Sequence, residues 1–272
     1  MIRKFLTFLL VSILGFRAVA QEPQVVPQEQ PKEQQKVELK DDLTRLKNGE
    51  DLNVLYRNEA SFGAFIHTAG GIGLSYRRGK HITAKRKRMY EIETQNFKHP
   101  KEIKSINPYF ENAKGFVYGK LNSLLIVRPG LGIQNVIYQK SDKKSVEIRY
   151  SYFIGAALAF AKPVYLEVKD LDGNGDGPIS IERYDPQKHS IDEIYGKAPF
   201  LKGIEKTTIY PGGYAKFALS FEYADRYNGL KAIETGATVD IYPRVIPIMA
   251  FNRNQQVFVS LYLKMIWGKK WF

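Results

Sequence analysis

The acidic loop DLDGNGDGPISIE, residues 170–182, comes closest in this chain to the residue types and spacing of a metal site. Counted from Asp172, oxygen-bearing side chains fall at the first, third and fifth positions of a calcium-binding loop. The twelfth position, which should be a bidentate Glu, is Arg183, and Glu182 stands one residue early. We therefore weigh a weak Ca²⁺ site against a solvated, glycine-rich turn. The candidate ligands are Asp170, Asp172, Asn174, Asp176 and Glu182.

No pattern in the sequence indicates a catalytic site. The chain has four histidines, and none stands in an H-E-x-x-H or G-x-S-x-G motif. We therefore predict no catalytic residues and no resident cofactor. A lipid-modifying enzyme, such as an acyltransferase or a phospholipase, is the alternative, and it would need a Ser and a His that meet at the outer rim.

The N-terminus indicates where the protein is expected to work. Residues 1–20 have the basic start, apolar run and Ala-x-Ala cleavage pattern of a signal peptide, with an uncleaved anchor as the alternative. Residues 21–52 are rich in Gln, Pro, Lys and Glu, which predicts a disordered periplasmic linker. Residues 53–272 allow one domain. Because the chain has no Cys, no disulfide stabilises this exported fold.

The chain is strongly basic. Its formal net charge is +13, and removal of the signal peptide lowers this to +10, because that segment contains Arg3, Lys4 and Arg17 and no acid. A basic exported protein is suited to lipid phosphates, peptidoglycan or another anionic surface, and nucleic acid is not an expected partner there. After the signal peptide no segment has eighteen consecutive apolar residues, so no transmembrane helix is predicted.

The stretch VEIRYSYFIGAALAF, residues 146–160, alternates with a period of two. Its even-numbered residues are apolar or aromatic, whereas its odd-numbered residues begin with Glu147 and Arg149 and then become mostly small. This is the period of a β-strand, maintained for longer than in ordinary soluble proteins. The pattern indicates a long strand with one apolar face and one polar face.

Similar alternation predicts eight strands. The connections near residues 81–86, 141–144 and 226–228 are short, and those at 98–115, 169–209 and 244–255 are long. Short turns at one end and long loops at the other are typical of outer-membrane barrels. We predict an all-β fold: an eight-stranded antiparallel transmembrane β-barrel in an up-and-down meander, or ten strands if a strand splits at Pro129 or Pro163. The predicted strands are about 59–68, 70–80, 87–97, 120–139, 145–168, 210–225, 229–243 and 256–268.

A soluble β-sandwich or a lipocalin-like barrel is the alternative, because its strands also alternate. The strand length, the small and charged residues of the polar face, and aromatic residues near strand ends favour the membrane barrel. The predicted aromatic girdle consists of Tyr150, Tyr152, Tyr165, Tyr223, Trp267 and Trp271.

Four segments have a resemblance to known proteins: GGIGLSYRRGKHITAKRKR, VYGKLNSLL, KPVYLEV and the C-terminal FVSLYLKMIWGKKWF. Over residues 55–272 the chain resembles bacterial outer-membrane β-barrel proteins, and in particular an uncharacterised barrel family of the Bacteroidota. The resemblance implies a location in the cell outer membrane, contact with its lipids and lipopolysaccharide, and recognition of the last strand by the barrel-assembly machinery. Trp271 is in phase with the outward residues of that strand, and Phe272 lies one residue beyond.

The polar face predicts what fills the barrel. The interior of an eight-stranded barrel is just wide enough for side chains, so inward charges should form pairs. We predict a salt-bridged plug, with a proton or ion path as the alternative. The predicted inward acids are Glu59, Glu91, Glu93, Glu147, Glu222, Glu234 and Asp240, and the predicted inward bases are Arg77, Arg128, Arg149, Lys216 and Lys264.

Two further segments suggest interactions. The basic run RRGKHITAKRKR, residues 77–88, is predicted to form a periplasmic turn, either facing lipid phosphates or an acidic partner or simply solvated. In HSIDEIYG, residues 189–196, a Ser-x-x-Glu capping box predicts a short helix, and the following residues 199–201 suggest a docking loop. The predicted function is a structural or subunit role in an envelope complex for barrel assembly, secretion or surface attachment. A small transporter is the alternative if the barrel has ten or more strands.

Overall fold

The computed structural model describes residues 57–83, 85–140, 145–169, 177–223 and 229–272. The barrel strands are β1 (Asn58–His67), β2 (Gly71–Thr83), β3 (Arg86–Phe97), β6 (Asn122–Tyr138), β7 (Glu147–Pro163), β11 (Thr208–Glu222), β12 (Gly229–Ile241) and β13 (Val257–Trp271). The remaining elements are β4 (Lys104–Ser105), β5 (Phe116–Val117), β8 (Tyr165–Lys169), β9 (Ile179–Arg183), β10 (Ile194–Lys197) and a 3₁₀ turn at Ile204–Lys206.

The eight barrel strands pair antiparallel with their neighbours along the chain and close into one barrel. Closure is made by β1 and β13, where Asn58 lies opposite Trp271 and His67 lies opposite Tyr262. A closed barrel has no unpaired edge, so its backbone hydrogen bonds are satisfied within the sheet. The predicted eight-stranded antiparallel barrel is therefore confirmed, and a two-sheet sandwich is excluded.

Neither proline adds barrel strands, so the ten-stranded alternative is wrong. Pro129 lies within β6, whose pairing with β7 passes from Val127 opposite Leu158 to Gly130 opposite Gly155 without a change of register. Proline removes one donor from the ladder, but the register is maintained on both sides of it. Pro163 is the last residue of β7.

The two-residue period separates the two faces of the barrel wall. In β13, Val259 and Leu261 point outward and are exposed, whereas Ser260 and Lys264 point inward and are buried. The other barrel strands follow the same rule, with an apolar outside and a largely polar inside. This arrangement reverses that of a water-soluble protein, in which the apolar side chains fill the interior.

The two ends of the barrel differ. The end with Asn58 and Trp271, here called the turn end, has the tight connection between β2 and β3 at residues 84–85. The opposite end, here called the loop end, has the long connections 98–121, 164–207 and 242–256. Within the described ranges, no helix has the length and apolar character needed to cross a membrane.

Two predictions for the loop end are wrong. Residues 165–169 form β8, which pairs with β9 and β10 instead of continuing the barrel, and Tyr165 is buried there rather than in an aromatic girdle. The predicted helix at 189–196 is absent, because residues from Ile194 onward form β10. The capping bond from the Ser190 amide to Glu193 exists at 3.2 Å, but burial of Ile194 beside β8 favours a strand.

Several predictions lie outside the described residues: the signal peptide at 1–20, the linker at 21–52, and the turns at 141–144 and 226–228.

Candidate functional site

Charged side chains fill the barrel from the turn end. Arg149 is buried, donates a hydrogen bond to Glu222, and lies 3.7 Å from Glu59. Lys87 donates to Glu59 at 2.5 Å, and Lys270 donates to Glu222 at 2.6 Å. The prediction that Arg149 points inward and pairs with carboxylates is confirmed.

The middle of the lumen has the most highly connected charge cluster. Glu91 accepts hydrogen bonds from Arg77 Nε at 2.7 Å, from Lys264 Nζ at 3.0 Å, and from Lys216. Arg77 also makes a bidentate pair with Glu234, with both contacts at 2.5 Å. All five side chains are buried, so water cannot take the place of these partners.

A third group of paired charges lies closer to the loop end. Arg128 makes a bidentate contact with Asp240, through Nε at 2.7 Å and Nη2 at 2.5 Å. Both groups are buried, and the Arg128 guanidinium lies 5.9 Å from the centre of the Tyr214 ring. Bidentate geometry of this kind fixes the orientation of both side chains.

The inward charges of the eight barrel strands balance. The predicted plug of paired charges is confirmed, but the sequence-based set omitted two bases, Lys87 and Lys270. With them, the inward bases are Arg77, Lys87, Arg128, Arg149, Lys216, Lys264 and Lys270, and the inward acids are Glu59, Glu91, Glu93, Glu147, Glu222, Glu234 and Asp240. The lumen is therefore formally neutral, as expected of a space from which water is largely excluded.

An apolar layer closes the barrel above these charges. The connection 242–256 folds into the loop end, where the backbone amides of Leu121 and Asn122 donate to the carbonyl of Ile248 at 2.9 and 3.3 Å. The Asn122 side chain donates to the Pro247 carbonyl at 2.6 Å. The charged lumen thus ends beneath packed hydrocarbon. Buried side chains of this layer are Phe97, Leu124, Ile126, Tyr242, Ile246, Ile248, Met249 and Phe258.

The described parts of the connections 98–121 and 164–207, which exclude residues 170–176, form a folded unit at the loop end, here called the cap. Its three-stranded sheet has the order β10-β8-β9. The side-chain amide of Asn107 donates to the carbonyl oxygens of three residues within 191–194, at 2.9 to 3.2 Å, and so links the two connections. The cap has its own apolar core: Phe116, Leu166, Val168, Tyr184 and Ile194.

The cap brings together a Ser, a Glu and a His. Ser180 donates to Glu182 at 3.0 Å, and His189 Nε2 lies 3.2 Å from the other carboxylate oxygen. His189 Nδ1 accepts the amide of Asp185 at 3.0 Å, so Nε2 has the proton and donates it to Glu182. These hydrogen bonds from His189 and Ser180 lower the pKa of Glu182 below its ordinary value. The carboxylate lies between the hydroxyl and the imidazole, so each of these two groups hydrogen-bonds Glu182.

Each of the remaining three histidines contacts the backbone of another residue. His67 Nε2 lies 2.9 Å from the Asn96 carbonyl, and His81 Nδ1 lies 3.3 Å from the Thr83 carbonyl. His99 Nδ1 accepts the Lys101 amide at 3.2 Å. In the described ranges, none of the three hydrogen-bonds a Ser, so these contacts provide no nucleophile and base pair.

Most of the predicted calcium site lies outside the described residues. Asp170, Asp172, Asn174 and Asp176 fall in the segment 170–176, and Glu182 alone of the five candidates is described. Glu182 belongs to β9 and points to Ser180 and His189. The calcium site therefore stays a prediction.

Of the three comparisons with known proteins, the one with solved structures gives matches. No family model matches the chain, and no curated protein matches it. Among solved structures, Neisserial surface protein A matches with 10% identity and a TM-score of 0.36, over 79% of this chain and 95% of that one. The attachment invasion locus protein Ail of Yersinia pestis, solved with sucrose octasulfate, matches with 5% identity and a TM-score of 0.37, over 80% and 100%. The N-terminal β-barrel domain of Pseudomonas aeruginosa OprF matches with 8% identity and a TM-score of 0.31, over 78% and 99%. The barrel is established by the strand pairing of this chain itself.

Proposed function

We propose that the protein spans a bacterial outer membrane as a closed barrel. Most of its outward side chains are apolar and exposed, such as Phe62 at 67%, Ile72 at 70% and Ile154 at 67%. So large an apolar surface is unfavourable in water and favourable in hydrocarbon. The barrel strands have 10 to 17 residues, whereas about 9–11 suffice to cross a bilayer. Resistance of the full chain to extraction from envelopes by urea or carbonate tests this, and release into the soluble fraction would contradict it.

Within the membrane, the barrel serves as an anchor and its loop end as the working surface. The observation that supports this role is the combination of a filled lumen with an ordered cap. Paired charges and the apolar layer occupy the space that a diffusing solute would need, so the proposal gives the barrel no transport function. A cap with its own core presents side chains in fixed positions, which is what a docking surface requires.

The segment 199–206 of the cap is the proposed docking surface for another envelope component. It is held by turns, and Lys162 donates to the Phe200 carbonyl at 2.7 Å. Its apolar side chains Phe200, Leu201 and Ile204 are 69%, 71% and 53% exposed. Exposed apolar side chains on a fixed frame are typical of protein–protein contacts. The protein is therefore proposed to be a subunit of an envelope complex.

Native gel electrophoresis of detergent-solubilised envelopes tests the subunit role. The wild-type chain should migrate as part of a large complex of defined size, and the Phe200→Ser/Leu201→Ser variant should migrate as a lone barrel. Phe251→Ser is the matched control, because it removes an equally exposed aromatic residue from the connection 242–256. A wild-type chain that migrates alone in gently solubilised envelopes would contradict the proposal.

The proposal keeps the predicted route to the membrane, namely insertion by the barrel-assembly machinery with the N-terminal arm in the periplasm. Trp271 is the last residue of β13 and points outward, in phase with the apolar face of that strand. Its replacement by Ala should lower the amount of folded barrel in envelopes. The alternative of a lipid-modifying enzyme has no supporting contact among the described residues.

A further inference from the structure

The outer face of the barrel is asymmetric in charge. Every Asp and Glu of the eight barrel strands points to the lumen, and the structure describes all residues of these strands. The outward charges are therefore all positive. Six of them lie toward the turn end and Lys162 alone lies at the loop end; the six are Arg78, Lys80, Arg86, Arg88, Lys231 and Lys269.

Two pairs of residues on β2 and β3 concentrate this charge. Lys80 lies directly opposite Arg88, and Arg78 lies directly opposite Tyr90. Like charges directly opposite each other on one face of an antiparallel pair are destabilising. Because no carboxylate of the eight barrel strands faces outward, the outer face of these strands provides no counter-charge for this patch.

An apolar groove of about 1120 Å³ begins at this patch. Arg78 and Tyr90 line it together with the outward apolar side chains Ile92, Leu131 and Ile154. The groove is therefore a mainly apolar depression of the outer wall. Its polar lining residues are Tyr76, Arg78, Tyr90, Glu91 and Tyr214, of which Glu91 and Tyr214 point to the lumen. Its apolar part suits an acyl chain, and its charged part suits an anionic headgroup.

Gly213 lies on the wall of this groove. A Cβ built on it would have the Gly155 carbonyl oxygen as its nearest neighbour, at 3.7 Å, which is an ordinary contact. Packing of the barrel wall therefore does not require glycine at this position. A larger side chain there would project into the groove and occupy part of it.

We infer that this groove and the patch Arg78–Lys80–Arg88 bind a phospholipid from the leaflet at the turn end, with its phosphate on the cations and one acyl chain in the groove. This assignment rests on the proposed membrane-spanning barrel. A phospholipid satisfies both halves of the surface, whereas an acidic protein would satisfy only the charges. Lipids of the leaflet at the loop end would meet one outward cation of the barrel strands, Lys162.

Native mass spectrometry of the full chain in detergent tests the assignment. The probes are phosphatidylglycerol, a phosphate-free glycosyl diacylglycerol with the same acyl chains, and inorganic phosphate. Phosphatidylglycerol should bind as one retained molecule, at least tenfold more tightly than the glycolipid, and equimolar inorganic phosphate should not displace it. Equal affinity for the two lipids, or complete displacement by phosphate, would overturn the assignment.

The variants separate a built site from general basicity. Arg78→Gln/Lys80→Gln/Arg88→Gln should weaken phosphatidylglycerol binding about 100-fold, at about one kcal/mol for each cation near a lipid surface. Gly213→Leu should weaken it about tenfold with every charge intact. Lys231→Gln is the control, since Lys231 is an outward cation of β12 that belongs neither to the β2–β3 patch nor to the lining of the groove, and it should bind within twofold of wild type.

An equal loss in Lys231→Gln and in the triple variant would overturn the site. If the triple variant does not fold, Arg88→Gln alone should bind about fivefold more weakly, and wild-type affinity in that variant would also overturn it. Lipid binding is measured in detergent, whereas the membrane-spanning proposal is tested by extraction of the chain from envelopes. A chain that resists extraction but shows no preference for phosphatidylglycerol would therefore contradict the lipid site alone.

Discussion

Replacement of Glu91 by Gln tests whether ion pairing holds the barrel together. Glu91 accepts hydrogen bonds from Arg77, Lys216 and Lys264, and the cluster also contains the acids Glu93 and Glu234. Gln keeps the shape of the side chain and removes its charge, so the cluster changes from three cations against three anions to three against two. Leaving a buried charge without its partner costs about 3–5 kcal/mol. Arg77 keeps Glu234 as a partner, and Lys216 and Lys264 keep Glu93. We therefore expect Glu91→Gln to lower the free energy of unfolding by an amount at the lower end of this range, about 3 kcal/mol.

Urea unfolding of the full chain in lipid vesicles measures this loss. The two tryptophans of the chain, Trp267 and Trp271, lie on the outer face of β13 and report on the barrel by fluorescence. Glu205→Gln is the control, because Glu205 is an exposed acid of the cap, and it should change the free energy by less than about 0.5 kcal/mol. An unchanged slope of the transition would show that the midpoint shift reflects stability.

A double variant makes the test specific to pairing. Lys264→Gln removes one of the three cations, so Glu91→Gln/Lys264→Gln restores the balance of charge in the cluster. The two substitutions should therefore cost about 0.5–3 kcal/mol less together than the sum of their separate costs. A Glu91→Gln variant within 1 kcal/mol of wild type, or strict additivity in the double variant, would refute the reasoning that these charges stabilise the barrel as a network.

Three further predictions concern Arg149, Glu182 and the acidic loop 170–182. Arg149→Ala should lower the temperature at which the folded form converts to the unfolded form on a heat-modification gel, and an unchanged temperature would count against its ion pairs. The pKa of Glu182 is lowered by its hydrogen bond from His189, so this contact stabilises the cap at neutral pH and is lost as the pH falls through the lowered pKa. An NMR titration should show the Glu182 pKa rising toward 4.5 in His189→Ala, and no rise would refute the contact. Calorimetric titration should give heat with Ca²⁺ that is lost in Asp172→Asn/Asp176→Asn, and no wild-type heat at millimolar Ca²⁺ would remove the calcium prediction.

The barrel could be predicted from the sequence because alternate residues of a membrane-barrel strand face the lipid and the lumen, and so differ in polarity. In β7, Arg149 and Phe153 are buried while Tyr152 and Ile154 are exposed, as the alternation of VEIRYSYFIGAALAF predicts. The inward charges followed from the same period. Lys87 was missed, although it is in phase with Glu91, because it stands in a run of four basic residues where alternate positions do not differ in polarity.

The cap could not be predicted, because its strands depend on contacts between distant segments. The capping box of Ser190 and Glu193 is a correct local signal, but the chain beyond it pairs with β8, as Lys197 opposite Leu166 shows. Asn107 joins the two cap connections across more than eighty residues of sequence. Neither the period of two nor any short motif contains information about such pairings.

The distribution of charge shows where the excess positive charge of the barrel strands lies. In the eight barrel strands the inward charges cancel, seven against seven, whereas the seven outward charges are all positive. The lumen must be neutral, because an unpaired charge there has no access to bulk water. The outer face is under no such constraint near its ends, where a basic side chain meets the phosphate layer of a bilayer. The net positive charge of the barrel strands is therefore located on the surface where anionic lipid can neutralise it, and Arg78, Lys80 and Arg88 are the residues at which its removal should have the largest effect on lipid binding.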